Sequence, residues 1–306
     1  MENGSKPSKS REPGSGQLRI GVAIATAGRP EIVGKTIDLI ALQSRAADAI
    51  LVCSPSEEDV DGLWEDRPGV IRLVGPRGLP HQRNRLVEAA DNLDILLFLD
   101  DDFVMDSRYL AEIEAVFRDC PDVILTTGRV VADGIIGPGF SFEEARARLS
   151  APTAPPAGRL TEVYNGYGCN MAVRLETVRA NALKFDEELP LYAWLEDVDF
   201  SRSMAPFGRI IRVEQAKGVH LGVKSGRQRG VRLGYSQIAN PCYLIAKGTC
   251  SWKKGLFHIS RNLAANLYGT LRGEKAVDRP ARLLGNLKAM ADLFTQRLAP
   301  SRALRL

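Results

Sequence analysis

Between Leu18 and Asp102 short apolar runs alternate with segments of helical period, and this alternation leaves few architectures open to the chain. Leu18 to Thr26 is an apolar run closed by Ala27-Gly28-Arg29-Pro30. A helical pattern follows from Glu31 to Leu42, with Ile32, Val33, Thr36, Ile37 and Ile40 on one face. Ala49 to Cys53, ending in the turn-rich Ser54-Pro55-Ser56, and Val70 to Val74 are two more strand candidates. A helix is expected from His81 to Ala90, and Asp94 to Leu99 is the most apolar strand candidate of all. Strands and helices in this order build an α/β fold around a mostly parallel, doubly wound sheet. Ligands of such sheets bind beyond the carboxyl ends of the strands.

The pattern continues with a helix over Asp106 to Cys120 and a strand over Val123 to Val131. Pro138, Pro152, Pro155 and Pro156 then interrupt any regular period, so a long loop region is expected. Beyond it lie a strand from Asn170 to Arg174, a helix from Glu176 to Asn181, an acidic segment Leu195 to Asp199 leading into a helix to Phe207, and a late strand from Arg209 to Val213. With 306 residues, 44% of them hydrophobic, the chain can bury a substantial core. The first 17 residues, rich in Ser, Gly, Lys and Pro and lacking an apolar stretch, read as a disordered tail rather than a signal peptide. Five scattered cysteines without paired spacing read as reduced thiols, which points to a cytoplasmic protein.

Charge is distributed unevenly. Through His220 the chain holds 25 Lys and Arg against 34 Asp and Glu; after it, 16 against 3. A basic, helical C-terminal extension over residues 226–306 favours an anionic partner or is simply a solvated face. No recognised nucleic-acid motif accompanies the charge, so nucleic acid is not expected. Leu256, Ile259, Leu263, Leu267 and Leu271 repeat at helical spacing, with Lys253, Lys254, Arg272 and Lys275 at the ends. Such a helix either lies on an anionic leaflet or docks on the preceding domain.

The sharpest chemical signal is Asp100-Asp101-Asp102, delivered where the buried strand Ile95 to Leu99 leaves the core. Three adjacent carboxylates repel one another unless a cation neutralises them, and their hard oxygens suit Mg²⁺ or Mn²⁺. In an extended chain Asp100 and Asp102 share a face while Asp101 points away. A solvated acidic turn is the other reading of the same three residues.

The motifs run from a strand ending near Thr26, through the helix of Gly78 to Ala90 with Arg83-Asn84, to the strand end Phe98 to Asp102, and continue with Leu195-Glu196-Asp197-Val198-Asp199-Phe200, followed by Arg202 and Gly208-Arg209-Ile210. This order resembles that of the family 2 inverting glycosyltransferases with the GT-A fold. The resemblance covers roughly Leu18 to His220. It implies a GT-A-type nucleotide-diphospho-sugar-binding sheet over residues 18–225, with a donor-binding half at 18–125 and an acceptor half at 126–225. By the same resemblance Asp100 lies near the donor ribose and the metal, and Asp102 ligates the metal. Asp197, or Glu196 as second choice, is the general base toward the acceptor hydroxyl.

Arg83 and Asn84 are implied to shape the donor pocket, and Thr26 and Arg29 to meet the nucleobase or ribose. Asn165-Gly166-Tyr167-Gly168-Cys169-Asn170 resembles the segment lining the donor sugar, which places Asn170 among the donor contacts; a tight structural turn is the alternative. Asp101 is counted with the donor side of the acidic run but as its least engaged member. His220, at the edge of the basic block, is a candidate third metal ligand. The implied partners are a nucleotide-sugar donor, a saccharide or lipid-linked saccharide acceptor in polysaccharide or glycolipid assembly, and an anionic membrane surface that would make the cytoplasmic protein peripheral.

One departure from the family pattern bears on the donor. The second strand ends Val52-Cys53-Ser54 where acidic residues that read the base are usual, with Glu57, Glu58 and Asp59 only later, so the base is left unspecified. A sugar-phosphate nucleotidyltransferase would share the sheet and the metal chemistry. Its Gly-rich loop after the first strand is longer than Gly28-Arg29-Pro30. A non-catalytic protein that binds anionic surfaces is the third reading.

Overall fold

The computed structural model describes residues 17–64, 67, 69–135, 137–152, 158–223, 230–274 and 277–306. The N-terminal tail up to residue 16, Pro155, Pro156 and Lys275 lie outside the described residues.

The chain opens with β1 (Ile20–Ala25), α1 (Pro30–Ile40), β2 (Ala49–Ser54), β3 (Val70–Val74), α2 (Leu79–Glu88) and β4 (Ile95–Asp100). There follow β5 (Phe103–Met105), α3 (Tyr109–Asp119), β6 (Val123–Asp133), α4 (Phe142–Ser150), β7 (Leu160–Glu162), β8 (Asn170–Arg174), α5 (Leu175–Ala180), α6 (Glu196–Met204) and β9 (Arg209–His220). They form a single nine-stranded sheet in the order β3-β2-β1-β4-β8-β6-β9-β5, with β7 paired to β9. It is a mostly parallel sheet: β1, β2, β3, β4, β6 and β9 run one way, and β5, β7 and β8 oppose them.

Both faces of the sheet are covered, which is why β1, β2 and β4 are continuous apolar runs rather than alternating ones. On one face Val33, Ile37 and Ile40 of α1 and Tyr109, Ile113 and Phe117 of α3 pack on Ile20, Val22, Ile95 and Leu97. On the other, Leu86 of α2, Val178 of α5 and Phe200 and Met204 of α6 pack on Ala23, Leu51, Leu96 and Phe98. Pro30 opens α1 at a position where a missing N–H costs nothing.

The proline-rich stretch is more regular than its sequence suggests. Ser141 and Glu144 close a reciprocal capping box that starts α4, and Leu160–Glu162 adds a short edge strand to β9. The late strand also runs past Val213 to His220, because β6 on one side and β5 on the other supply hydrogen-bond partners along its second half.

Among the described residues the extension holds three α-helices, α7 (Gly230–Lys247), α8 (Trp252–Leu271) and α9 (Arg279–Phe294), and a 3₁₀ turn at Pro300–Arg305. It docks on the preceding domain through α7. Leu244 and Cys250 share a buried cluster with Leu189, Ala193, Leu195 and Val198. Lys247 Nζ bridges Asp186 and Asp199 at 2.5 and 2.8 Å, and Asn240 donates to the Trp194 carbonyl at 2.8 Å. The leucine repeat of α8 does not form one face in use: Leu256, Leu267 and Leu271 are exposed, whereas Ile259 packs against the core of the extension.

Candidate active site

Register decides what meets at the carboxyl ends of the strands. Ala25 of β1 stands beside Asp100 of β4, and His220 of β9 stands between Phe103 of β5 and Asp133 of β6. The end of the acidic run, Asp102, is thereby brought to the end of β9 at His220, 118 residues further along the chain. His220 Nε2 lies 3.3 Å from Asp102 Oδ1 and 3.8 Å from Asp100 Oδ2. One ligand atom from each of Asp100, Asp102 and His220 falls within 4.8 Å of the other two. Asp102 is buried and accepts from the Val223 backbone N–H at 2.8 Å, while Asp100 is partly open.

Two carboxylates and an imidazole form a donor set that fits Mn²⁺ or Mg²⁺. The groups behind the imidazole fit as well. His220 Nδ1 is 3.1 Å from Asp133 Oδ1, and Tyr167 donates its hydroxyl to Asp133 Oδ2 at 2.7 Å. A carboxylate behind a ligating histidine fixes the ring and its tautomer. Burial disfavours a charge on His220, yet its hydrogen bonds to Asp102 and Asp133 raise it to about 10. The ring proton thus marks a spot at which the surrounding carboxylates favour positive charge.

Asp101 turns the other way, as the two-residue alternation requires. It is completely buried, accepts from Thr26 Oγ1 at 2.6 Å and pairs with Arg29 Nη2 at 2.7 Å. Burial pushes its carboxyl up to about 7 against the pull of Arg29. Thr26 and Arg29 therefore tie the end of β1 to the end of β4.

Arg83 links the acidic strand end to the second acidic motif. Its guanidinium is buried and donates to Glu196 Oε1 at 2.6 Å, to the Gly168 carbonyl at 2.7 Å and to Asp100 Oδ1 at 3.3 Å. Glu196 and Asp197 open α6, where carboxylates favour the helix dipole. Glu196 is buried and bound to Arg83, and burial pushes it up to about 8; its Oε2 has no partner among the described residues. Asp197 is partly exposed and accepts from the backbone N–H groups of Gly168, at 3.0 Å, and Val198, at 2.8 Å. Burial raises its pKa, and those two N–H donors offset part of the rise.

Gly168 makes this crowding possible: a Cβ there would stand 2.9 Å from Glu196 Oε1 and 3.4 Å from Asp197 Cβ. Just before the motif, Leu191, Ala193 and Leu195 all adopt positive φ, a conformation costly for residues with a side chain.

Not every candidate joins this cluster. Asn84 is buried and braces the 185–187 segment, donating to the Phe185 carbonyl at 2.9 Å and Glu187 at 2.8 Å and accepting from the Phe185 N–H. Asn170 is buried between Thr127 Oγ1, 2.5 Å away, and the Gly128 carbonyl. Asp133 and Tyr167 were not singled out by sequence reasoning. Tyr167 lay inside the glycine-rich turn that was; Asp133 follows two residues beyond the expected end of its strand. On the side of the missing base-reading acids, Asp59 folds back toward the turn at Gly28 and pairs with Arg77 at 3.1 Å.

No family model and no curated protein matches this sequence. Solved structures do. The mannosyltransferase PcManGT from Pyrobaculum calidifontis, in complex with GDP-Man and Mn²⁺, superposes with a TM-score of 0.54 over 98% of this chain and 88% of its own, at 15% identity. TarS 1–349 of S. aureus superposes with a TM-score of 0.51 over 74% of this chain and 66% of its own, at 13% identity. TarS 1–349 in complex with UDP-GlcNAc gives the same TM-score at 15% identity, over 74% of this chain and 67% of its own. Against a longer TarS structure the match covers 40% of that chain. The chain therefore spans about two thirds of TarS 1–349 and less of the longer TarS. What these proteins share with it is the α/β fold.

Proposed function

We propose that the chain is a metal-dependent, inverting glycosyltransferase of the GT-A, family 2 type, moving a sugar from a nucleotide-diphosphate sugar to an acceptor hydroxyl. The observation that carries this reading is the convergence of Asp100, Asp102 and His220 on one point, with Arg83 joining that point to Glu196 beside Asp197. The fold shared with PcManGT, described with GDP-Man and Mn²⁺, and with TarS, described with UDP-GlcNAc, supports it.

A divalent cation held by Asp100, Asp102 and His220 would neutralise charge on the departing nucleoside diphosphate. Asp133 and Tyr167 hold the His220 ring for that task. Asp197, the more open of the two acids on α6, takes the proton of the acceptor hydroxyl as that oxygen attacks the anomeric carbon. A single in-line displacement inverts the configuration there. Glu196 serves differently: it anchors Arg83, and Arg83 keeps Asp100 and the Gly168 turn in place. The acceptor is a saccharide or lipid-linked saccharide of polysaccharide or glycolipid assembly.

The test is a panel of nucleotide sugars, UDP-GlcNAc and GDP-Man among them, screened for Mn²⁺-dependent thermal stabilisation and then for transfer to sugar acceptors. Transfer that survives Asp102→Ala would defeat the metal assignment. Pyrophosphate release from a nucleoside triphosphate and a sugar phosphate would instead make the chain a nucleotidyltransferase.

A further inference from the structure

The C-terminal helices carry their polarity the wrong way round for water. α8 turns Gly255, Asn266 and Gly269 inward. Asn266 donates to Gln237 Oε1 and to Asn286 Oδ1, both at 2.8 Å, and Asn286 donates to the Gly234 carbonyl at 2.7 Å. The opposite side of α8 presents Trp252, Leu256, Phe257, Leu267, Tyr268 and Leu271, with Leu271 78% exposed. α9 repeats the arrangement: Gly285, Asn286 and Ala289 are buried, whereas Leu284, Leu287 and Phe294 are exposed, Phe294 by 82%. A helix on a water-facing surface normally has its polar residues outside and its apolar stripe inside.

Cations frame these apolar faces. Lys253 and Arg261 of α8, Arg272 at its end, Lys288 of α9 and Arg297 beyond it are all exposed, and Lys254 turns over the Tyr164 ring at 4.3 Å. Lys253 lies over the Trp252 ring at 5.7 Å, Arg261 over Phe257 at 5.7 Å and Arg272 over Tyr268 at 4.7 Å. α8 contains no acidic residue. Aromatic and leucine side chains bordered by Lys and Arg match the boundary between acyl chains and anionic headgroups. No described helix is long and apolar enough to cross a membrane.

We propose that the outward faces of α8 and α9 seat on an anionic phospholipid surface, with the apolar side chains among the acyl chains and the flanking cations on the lipid phosphates. A second copy of the chain on the same face would bring like charges together. The residues through His220, acidic in balance, are repelled by such a surface, which confines the contact to the extension. This docking is independent of the sugar-transfer chemistry, and its test needs no turnover.

The experiment is flotation of the full chain with phosphatidylcholine vesicles, with and without phosphatidylglycerol, over a range of salt. Binding that requires phosphatidylglycerol and weakens with salt is expected. Lys253→Ala with Arg272→Ala lowers the affinity by about fivefold per cation. Phe257→Glu with Leu267→Glu abolishes flotation while the thermal unfolding midpoint is kept. In a chain whose other tryptophans are Phe, Trp252 fluorescence shifts to the blue on binding and loses that shift with salt. Equal binding to neutral vesicles overturns the proposal. So does absence of binding together with a concentration-dependent dimer that Phe257→Glu with Leu267→Glu dissolves, which would give the face to a second copy.

Discussion

Asp133 is the residue through which the metal assignment can be tested without touching a ligand. It sits behind His220 Nδ1 at 3.1 Å and is itself held by Tyr167. Asp133→Asn removes the charge but keeps the shape, so Mn²⁺ affinity measured by calorimetry should fall by about 10- to 100-fold while the thermal midpoint stays nearly constant. Asp197 offers a second test at this scale. Asp197→Asn should lower kcat by about 10²- to 10⁴-fold and leave donor affinity unchanged. The sign of the pH effect is fixed, because a base works only when ionised and burial raises the Asp197 pKa. The wild-type rate rises with pH through that raised pKa and then levels, and the acid limb disappears in Asp197→Asn. The acidic strand end, Glu196-Asp197 and His220 were legible because each stands out in residue type at a strand end or helix start, whereas Arg83, in the middle of α2, is picked out only by the order of motifs. Asp133 was not legible, since nothing in its neighbours reveals that β6 continues to a position beside His220. The roles of Asn84 and Asn170 were also hidden: a buried amide bonded to backbone reads in sequence like any polar residue in a motif.

At the scale of elements, the crossing of α7 and α9 depends on two glycines. A Cβ on Gly234 would stand 2.0 Å from the Arg282 carbonyl oxygen, and one on Gly285 2.1 Å from that of Val231. Gly285→Ala must push the helices apart and loosen the Asn286 bond to the Gly234 carbonyl, at a cost of about 1–3 kcal/mol. Urea unfolding should show it as a lower midpoint with an unchanged slope. The elements β1 to β4, with α1 and α2 between them, could be read closely from sequence because continuous apolar runs and helical periods are local signals. β5 and β7 could not. Each is a three-residue edge piece whose existence depends on a partner, β9, that lies far along the chain. α4 was masked by the surrounding prolines, although Ser141 and Glu144 carry its start signal.

At the scale of the whole molecule, the basic extension is either an appendage or part of one folding unit with the α/β sheet. Sequence composition separates it sharply, but packing does not. Lys247 of α7 neutralises Asp199, a fully buried carboxylate on the same helix as Glu196 and Asp197, and Thr249 donates to the other oxygen of Asp199 at 2.5 Å. The same lysine holds Asp186, the residue after Phe185, whose backbone Asn84 braces. Lys247→Ala strips Asp199 of its ion pair and should cost about 2–4 kcal/mol, since a buried charge left alone is far more costly than a surface pair is worth. The loss is expected to appear in the α/β domain as well as in the extension. Trp194 at the interface and Trp64 against the first core would report one coincident unfolding transition, shifted together to lower urea in the variant. Two separated transitions, with Trp64 unaffected, would show instead that the extension folds and fails by itself, and the position of α6 would then owe nothing to it.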